Sequence, residues 1–352
     1  MISIKVPARI CFFGDHQDYL GLPVIAGTIN RYIELKAKAI EAVEFRINLP
    51  DIQSHRTISL NSEADIIPED YLRSAMAVLK KKGFSFKKGY EIEISGDIPV
   101  NAGLSSSSAL TVAWIRFLIA IQEKKIHVSD AEVGRWAYEA EVVFFDSPGG
   151  LMDQFTIAQQ GLLFINTKEG KTERLIGDLG KLIVAESGIQ KKTLNVLKNA
   201  RTYQEKAIRQ IQLQHPNFNI HKVTLTDFKR YKACISRDYH DHWYAAVRNY
   251  QITREAKKLL SFETLDLEKI GQLMDEHQSI LENQIKNTPL EMITMMNAAR
   301  NAGAFGAKTI GSGGGGCMVA IVSKDTKEEV INAFLAKGAI NAYEVHVTHP
   351  KT

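Results

Sequence analysis

Twelve residues constrain this chain more than any others: Pro99-Val-Asn-Ala-Gly-Leu-Ser-Ser-Ser-Ser-Ala-Leu110. Small residues and a glycine lead into four consecutive serines, and an apolar run from Leu110 to Ile121 follows without a break. Glycine lets backbone approach a ligand closely, and serine favours the start of a helix. A helix that begins in such a loop aims several unpaired N–H groups, and the positive end of its dipole, at whatever lies before it. Two readings stand at this point: a Gly/Ser linker, or a cradle for a polyphosphate. A linker seldom runs straight into a strongly apolar helix. The stretch is not the common P-loop, because no Gly-Lys-Ser/Thr closes it.

A chain of 352 residues, 45% hydrophobic and 24% charged, is expected to form a globular protein of about two domains with a large buried core. The net charge of +4 is mild, and the basic clusters Lys80–Lys82, Lys87–Lys88 and Lys191–Lys192 are short. They read as solvated surface, so no nucleic-acid partner is expected. Cys11, Cys234 and Cys317 lie far apart and form no CxxC, which gives no basis for a disulfide framework. Cys11 and Cys317 stand in apolar runs and read as small buried hydrophobes. No apolar run reaches membrane-spanning length, and Met1–Val6 alternates like a strand rather than a signal peptide. The expected setting is a reducing cytoplasm, with no membrane partner.

A strand is expected at 2–6, apolar segments follow at 7–13 and 22–29, and a second strand is expected at 32–38, where polar and apolar residues alternate. Short strands follow at 44–47 and 57–60. Pro68 is expected to open a helix, and residues 90–95 form a strand leading to the serine loop. Ser129 and Glu132 fit a capping box for a helix reaching about Phe145, which Ser147-Pro-Gly-Gly150 stops. Core strands are expected at 161–165, 182–185 and 317–322, and helices through 192–214, 227–287, 290–302 and 328–336, with a last strand at 343–347. Met292, Met295 and Met296 read as core filler. Strands mixed with helices in both halves argue for an α+β architecture.

Four clusters carry chemistry. Arg9 with Asp15, His16 and Asp18 is either a self-bonded turn or a set of hydrogen-bonding groups for the hydroxyls of a polyol or sugar. In the serine loop a hydroxyl could also ligate Mg²⁺. Glu141 and Asp153 are a surface glutamate with a capping aspartate, or a Mg²⁺ ligand with a carboxylate that positions an attacking hydroxyl. Asp153 lies just past a Pro-Gly-Gly break, where a side chain can be aimed into a cleft. The glycine run 311–316 is a hinge or a backbone surface for another loop.

Taken together and in this order, the clusters resemble the galactokinase, homoserine kinase, mevalonate kinase and phosphomevalonate kinase (GHMP) superfamily. Pro7-Ala-Arg-Ile-Cys-Phe-Phe-Gly-Asp-His-Gln-Asp-Tyr19 is similar to its first motif, Pro99–Ala109 to its phosphate loop, and Gly306-Ala-Lys-Thr-Ile-Gly-Ser-Gly-Gly-Gly-Gly-Cys317 to its third motif. The resemblance implies a two-domain fold. A ribosomal protein S5 domain 2-like N-terminal domain would span 1–180, and a ferredoxin-like C-terminal domain 181–352. It also implies an ATP- and Mg²⁺-dependent kinase for a small molecule. Asn101, Ala102, Gly103, Leu104, Ser105, Ser106, Ser107 and Ser108 would bind ATP, with Gly313, Gly314 and Gly315 in support. Ser107 and Glu141 would stand at the metal positions. Asp153 would be the catalytic carboxylate and Arg9 its partner, with Asp15, His16, Asp18 and Gly150 at the acceptor.

Within the superfamily, Gly14-Asp-His-Gln-Asp-Tyr19 and Gly150-Leu-Met-Asp-Gln-Phe155 look most like galactokinases, which implies a sugar phosphorylated at its anomeric hydroxyl. Three features depart from that pattern. Asp15 is a methylene shorter than the usual glutamate. Gln17 replaces threonine, and Ser187–Thr193 stands where a tyrosine packs by the sugar. The glycine run also resembles the mevalonate and heptose kinase form. The alternatives are a mevalonate kinase-like or heptose-phosphate kinase-like enzyme, or a sugar-sensing regulator without turnover. The partner expected is a small sugar or polyol, and the chain is expected to be a monomer or homodimer.

Overall fold

The computed structural model describes residues 1–61, 65–190 and 193–350. Lys191 and Lys192, part of the basic clusters read as solvated surface, lie outside them. No helix among the described residues is long and apolar enough to cross a membrane.

Eleven strands form two sheets among the described residues. The first sheet holds β1 (Ile2–Phe13), β2 (Val24–Ile40), β3 (Glu44–Leu49), β4 (Ser54–Ser59), β5 (Gly89–Gly96), β6 (Leu162–Asn166) and β7 (Lys171–Arg174). Its order is β4-β3-β5-β2-β6-β7, with β1 also pairing with β2. The second holds β8 (Lys181–Glu186), β9 (Gly306–Thr309), β10 (Cys317–Val322) and β11 (Asn341–Val345) in the order β11-β8-β10-β9. That antiparallel order, with helical crossovers after β8 and β10, is a ferredoxin-like arrangement.

The two long N-terminal strands each join segments that read as separate in the sequence. Register shifts between Pro7 and Ala8 while Tyr32 and Ile29 pair with them, so Asn30 and Arg31 bulge out and the ladder continues past the break. β2 then serves as a hub. Its first residues pair with β6 and its last with β5.

The helices are α1 (Tyr71–Lys81), α2 (Ser106–Ala120), α3 (Asp130–Tyr138), α4 (Met152–Gln159), α5 (Thr193–Gln214), α6 (Leu225–Lys232), α7 (His240–Leu260), α8 (Leu267–Ile280), α9 (Leu290–Asn301) and α10 (Lys327–Ala336). α1 starts at Tyr71 rather than Pro68 because Asp70 caps it, accepting from the Arg73 N–H. The capping box at Ser129 and Glu132 is present, but α3 passes at Glu139 into a π-helical turn that lasts to Val143.

The core explains the residue patterns. α2 is buried around most of its circumference, with Trp114 and Phe117 set against Phe45, so it shows no amphipathic stripe. The second sheet is buried on both faces. Leu182 and Val184 of β8, and Cys317, Val319 and Ile321 of β10, join the main core. Their neighbours Ile183, Ala185, Met318 and Ala320 join a second core with Met292, Met295, Met296 and Phe334. Such strands read as unbroken apolar runs rather than alternating ones. Burying α2 on all sides fixes where its N-terminus lies, and that end opens on a cleft.

Candidate active site

The cleft has a volume of about 250 Å³ and brings together residues from β1, the loop 14–18, the serine loop, the π-helical turn, the 147–150 turn, α4 and the second glycine loop. Every residue expected at the catalytic, acceptor and metal positions lines it: Arg9, Asp15, His16, Asp18, Ser107, Glu141, Gly150 and Asp153.

The phosphate loop is held in a strained shape. Asn101, Gly103 and Ser105 all have positive φ (55°, 96° and 60°), although only one of them is glycine. For the other two this costs energy that the surroundings must overcome, and such strain gathers at ligand sites. Ser105 occupies the N-cap of α2, yet its side chain caps nothing. Its hydroxyl donates instead to Asp153 Oδ2 at 2.5 Å. The first-turn N–H groups of α2 are therefore left without a side-chain cap where the helix meets the cleft, the condition for binding an anion.

Asp153, on the first turn of α4, is gripped from two sides. Arg9 donates from Nε to Oδ1 and from Nη2 to Oδ2, both at 2.8 Å, and from Nη1 to the Gly103 carbonyl at 2.6 Å. Burial works against the Arg9 charge, but the Asp153 carboxylate outweighs it and lifts the guanidinium pKa above its ordinary value. One cation thus ties the carboxylate to the phosphate loop.

Glu141 sits on the π-helical turn, nearly buried, with Gln154 Nε2 donating to its Oε2 at 2.6 Å. Burial raises its pKa, and hydrogen bonds from Gln154, Ser108 and Ser107 counter the rise. Among the described residues no three His, Cys, Asp or Glu side chains gather into a metal-holding group. One carboxylate beside the Ser107 hydroxyl still fits a Mg²⁺ ion that takes its remaining ligands from phosphates and water.

The acceptor loop, residues 14–19, is fastened from behind. Asp15 Oδ2 accepts from Lys308 Nζ at 2.7 Å. His16, with φ of +61°, has Nε2 2.9 Å from the Ser312 carbonyl oxygen and 3.0 Å from Asn287 Nδ2. Gln17 donates to Thr253 Oγ1 at 3.1 Å, and Tyr19 donates to Gln204 Oε1 at 2.8 Å. Asp18 turns the other way. A methyl group on Gly150 would overlap its carboxylate, so the glycine is what admits it. Burial, and then repulsion from Asp153, push the Asp18 pKa up to about 7.

The second glycine loop meets the phosphate loop one step later than expected. Cys317 N–H donates to the Ala102 carbonyl at 2.7 Å, and a Cβ on Gly316 would lie 2.6 Å from that oxygen. Gly313 and Gly314 pack instead on Asn287, and Gly315 on the carbonyls of Ile189 and Gln190.

The residues that fasten the acceptor loop were not singled out from the sequence. Lys308 had a signal, a charge in a short apolar stretch just ahead of the glycine run, and Gln154 stands beside Asp153 in the same quoted motif. Asn287, Thr253 and Gln204 lie on distant segments with no local signature.

The N-terminal family model of the GHMP kinases matches residues 70–161, and the C-terminal model matches 257–340. This chain belongs to the GHMP kinase family. A galactokinase of Clostridium acetobutylicum is 27% identical over 344 residues, covering 94% of this chain and 87% of that relative. A mevalonate kinase of Thermococcus gammatolerans is 26% identical over 350 residues, covering 96% and 93%. Among solved structures, Lactococcus lactis galactokinase complexed with galactose matches with a TM-score of 0.84 at 21% identity over 98% of this chain and 93% of that one. Methanococcus jannaschii mevalonate kinase matches with a TM-score of 0.74 at 21% identity, covering 99% and 98%. As a GHMP kinase the protein is an ATP-dependent phosphotransferase.

Proposed function

We propose that this GHMP kinase transfers the γ-phosphoryl group of ATP to the anomeric hydroxyl of a sugar. The observation that carries the reading is Asp153, held in Arg9's fork and by Ser105 in a cleft that also contains Asp15, His16 and Asp18. A carboxylate so placed reaches both the phosphate loop and the acceptor side. Phosphoryl transfer needs mostly positioning and charge stabilisation. Asp153 orients the acceptor hydroxyl and receives its proton, while Arg9 holds the carboxylate in place and offers positive charge to the transferred group. The uncapped N–H groups of α2 and the backbone of 101–108 bind the phosphates. Glu141 and Ser107 would hold Mg²⁺, which when bound neutralises phosphate charge. Asp15, His16 and Asp18 accept or donate to sugar hydroxyls, and Gly150 leaves room for Asp18.

The relatives at 27% and 26% identity act, by their names, on different acceptors. Arg9 and the acidic loop of Asp15 and Asp18 favour the polyhydroxylated one, because charge-assisted hydrogen bonds select several hydroxyls at once. We place the working division of the chain at residue 180, between β7 and β8, and the enzyme in the cytoplasm.

A coupled ADP-release assay over hexoses, heptose phosphates and mevalonate tests the reading. Release with a free aldose, and a product stable to borohydride because its anomeric centre is blocked, is the expected result. Release with mevalonate alone, or saturable sugar binding with no release, would overturn it.

A further inference from the structure

We propose that Lys308 is the positioning residue of the acceptor loop: by holding Asp15 Oδ2 it presents Oδ1 to one acceptor hydroxyl, and so sets acceptor affinity without touching the acceptor. The inference rests on the sugar-kinase reading above.

Lys308 is fully buried on β9, opposite Val319 of β10, and it does not line the cleft. An ammonium has three donors, and here all three are used: Asp15 Oδ2 at 2.7 Å, the Cys11 carbonyl at 3.1 Å and the Thr309 carbonyl at 2.6 Å. Its Nζ is therefore fixed between the end of β1, its own strand and the acceptor loop. Asp15 is nearly buried too, and lines the cleft. Burial would push its pKa up, but Lys308 outweighs this and holds the carboxyl below its ordinary value. His277 on α8 also lowers the Asp15 pKa, but burial and Lys308 hold its own pKa down to about 3, so near neutral pH it carries no charge.

The decisive atom is Asp15 Oδ1. It is buried and has no hydrogen-bond partner among the described residues. A buried carboxylate oxygen left unpaired is costly unless something completes it. One oxygen is taken by a fixed cation and the other is a buried, unpartnered acceptor on a residue that lines the cleft, so the group is set to accept a single hydrogen bond from a ligand. The short aspartate side chain makes its reach depend on where Lys308 holds it. A purely structural ion pair would tie up the carboxylate in the core and leave acceptor binding indifferent to it.

The test compares wild type, Lys308→Met, Asp15→Asn and the double variant, reading acceptor KM, ATP KM, kcat and melting temperature. Lys308→Met is expected to raise acceptor KM about tenfold or more while ATP KM stays within about threefold. In the Asp15→Asn background the lysine change is expected to add less than about threefold, because the two act as one unit. A folded Lys308→Met enzyme with wild-type acceptor KM overturns the inference, as do effects that multiply in the double variant. If Lys308→Met does not fold, the double variant, which leaves no uncompensated charge, is compared with Asp15→Asn alone. A much weaker acceptor KM in the double variant then overturns the inference. Absence of acceptor-dependent ADP release from wild type overturns the sugar-kinase reading itself, and is told apart by appearing before any substitution.

Discussion

The two loops that face each other across the cleft are built on opposite principles. The phosphate loop offers consecutive backbone groups at the end of a helix whose place is fixed by burial around most of its circumference. The acceptor loop offers side chains, and their partners come from α5, α7, β9 and the segments at 287 and 312. Backbone N–H groups at the end of one helix suffice to cradle a phosphate. Choosing an acceptor needs several groups held at set distances, and that requires support from many parts of the chain.

Asp153 belongs to both loops, through Ser105 on one side and the acceptor cluster on the other. Asp153→Asn is expected to lower kcat about a hundredfold or more, with nucleotide affinity by calorimetry little changed. Near wild-type turnover would show that neither loop needs it. The next two substitutions separate the loops. Gly150→Ala drives a methyl group into the Asp18 carboxylate, and should raise acceptor KM about tenfold while ATP KM holds. Gly316→Ala places a Cβ against the Ala102 carbonyl at φ of +87°, and should raise ATP KM several-fold and destabilise the fold by about 1–3 kcal/mol. If the two effects were exchanged between substrates, the contrast between the loops would be wrong.

The smallest expected effect concerns pH. The folded chain holds the Asp18 proton more tightly than the unfolded chain does. Its contribution to folding is therefore full below the ordinary value of 3.8 and lost as pH rises through about 7. Asparagine is neutral throughout. Asp18→Asn should melt about 2 °C or more above wild type at pH 8, the gap narrowing at pH 5 and closing only as pH approaches 3.8. A gap that is the same at both pH values would mean that neither burial nor Asp153 raises the Asp18 pKa.

This difference in construction also decides what could be read from the sequence. The serine loop was legible because its chemistry lies in adjacent residues that lead into an apolar helix. β8 and β10 were legible because burial on both faces leaves unbroken apolar runs. β1 and β2 read as fragments because Pro7 and the Asn30–Arg31 bulge interrupt the alternation without interrupting the ladder. β7 and β9 are only four residues long, too short for periodicity to register. Asp15, His16 and Asp18 were visible as a polar cluster, but not which way each one turns. That is set by Lys308, Asn287, Ser312 and Gly150, at separations no local pattern encodes.

The bond from the Cys317 N–H to the Ala102 carbonyl joins two backbone groups. Side-chain substitutions around it leave such a bond in place so long as Gly313, Gly315 and Gly316 are kept. An ancestral chain could therefore exchange the residues around its acceptor, one supporting contact at a time, while its ATP cradle stayed assembled throughout. On this view the glycine run acts as a keel that lets a kinase drift between substrates without losing its donor.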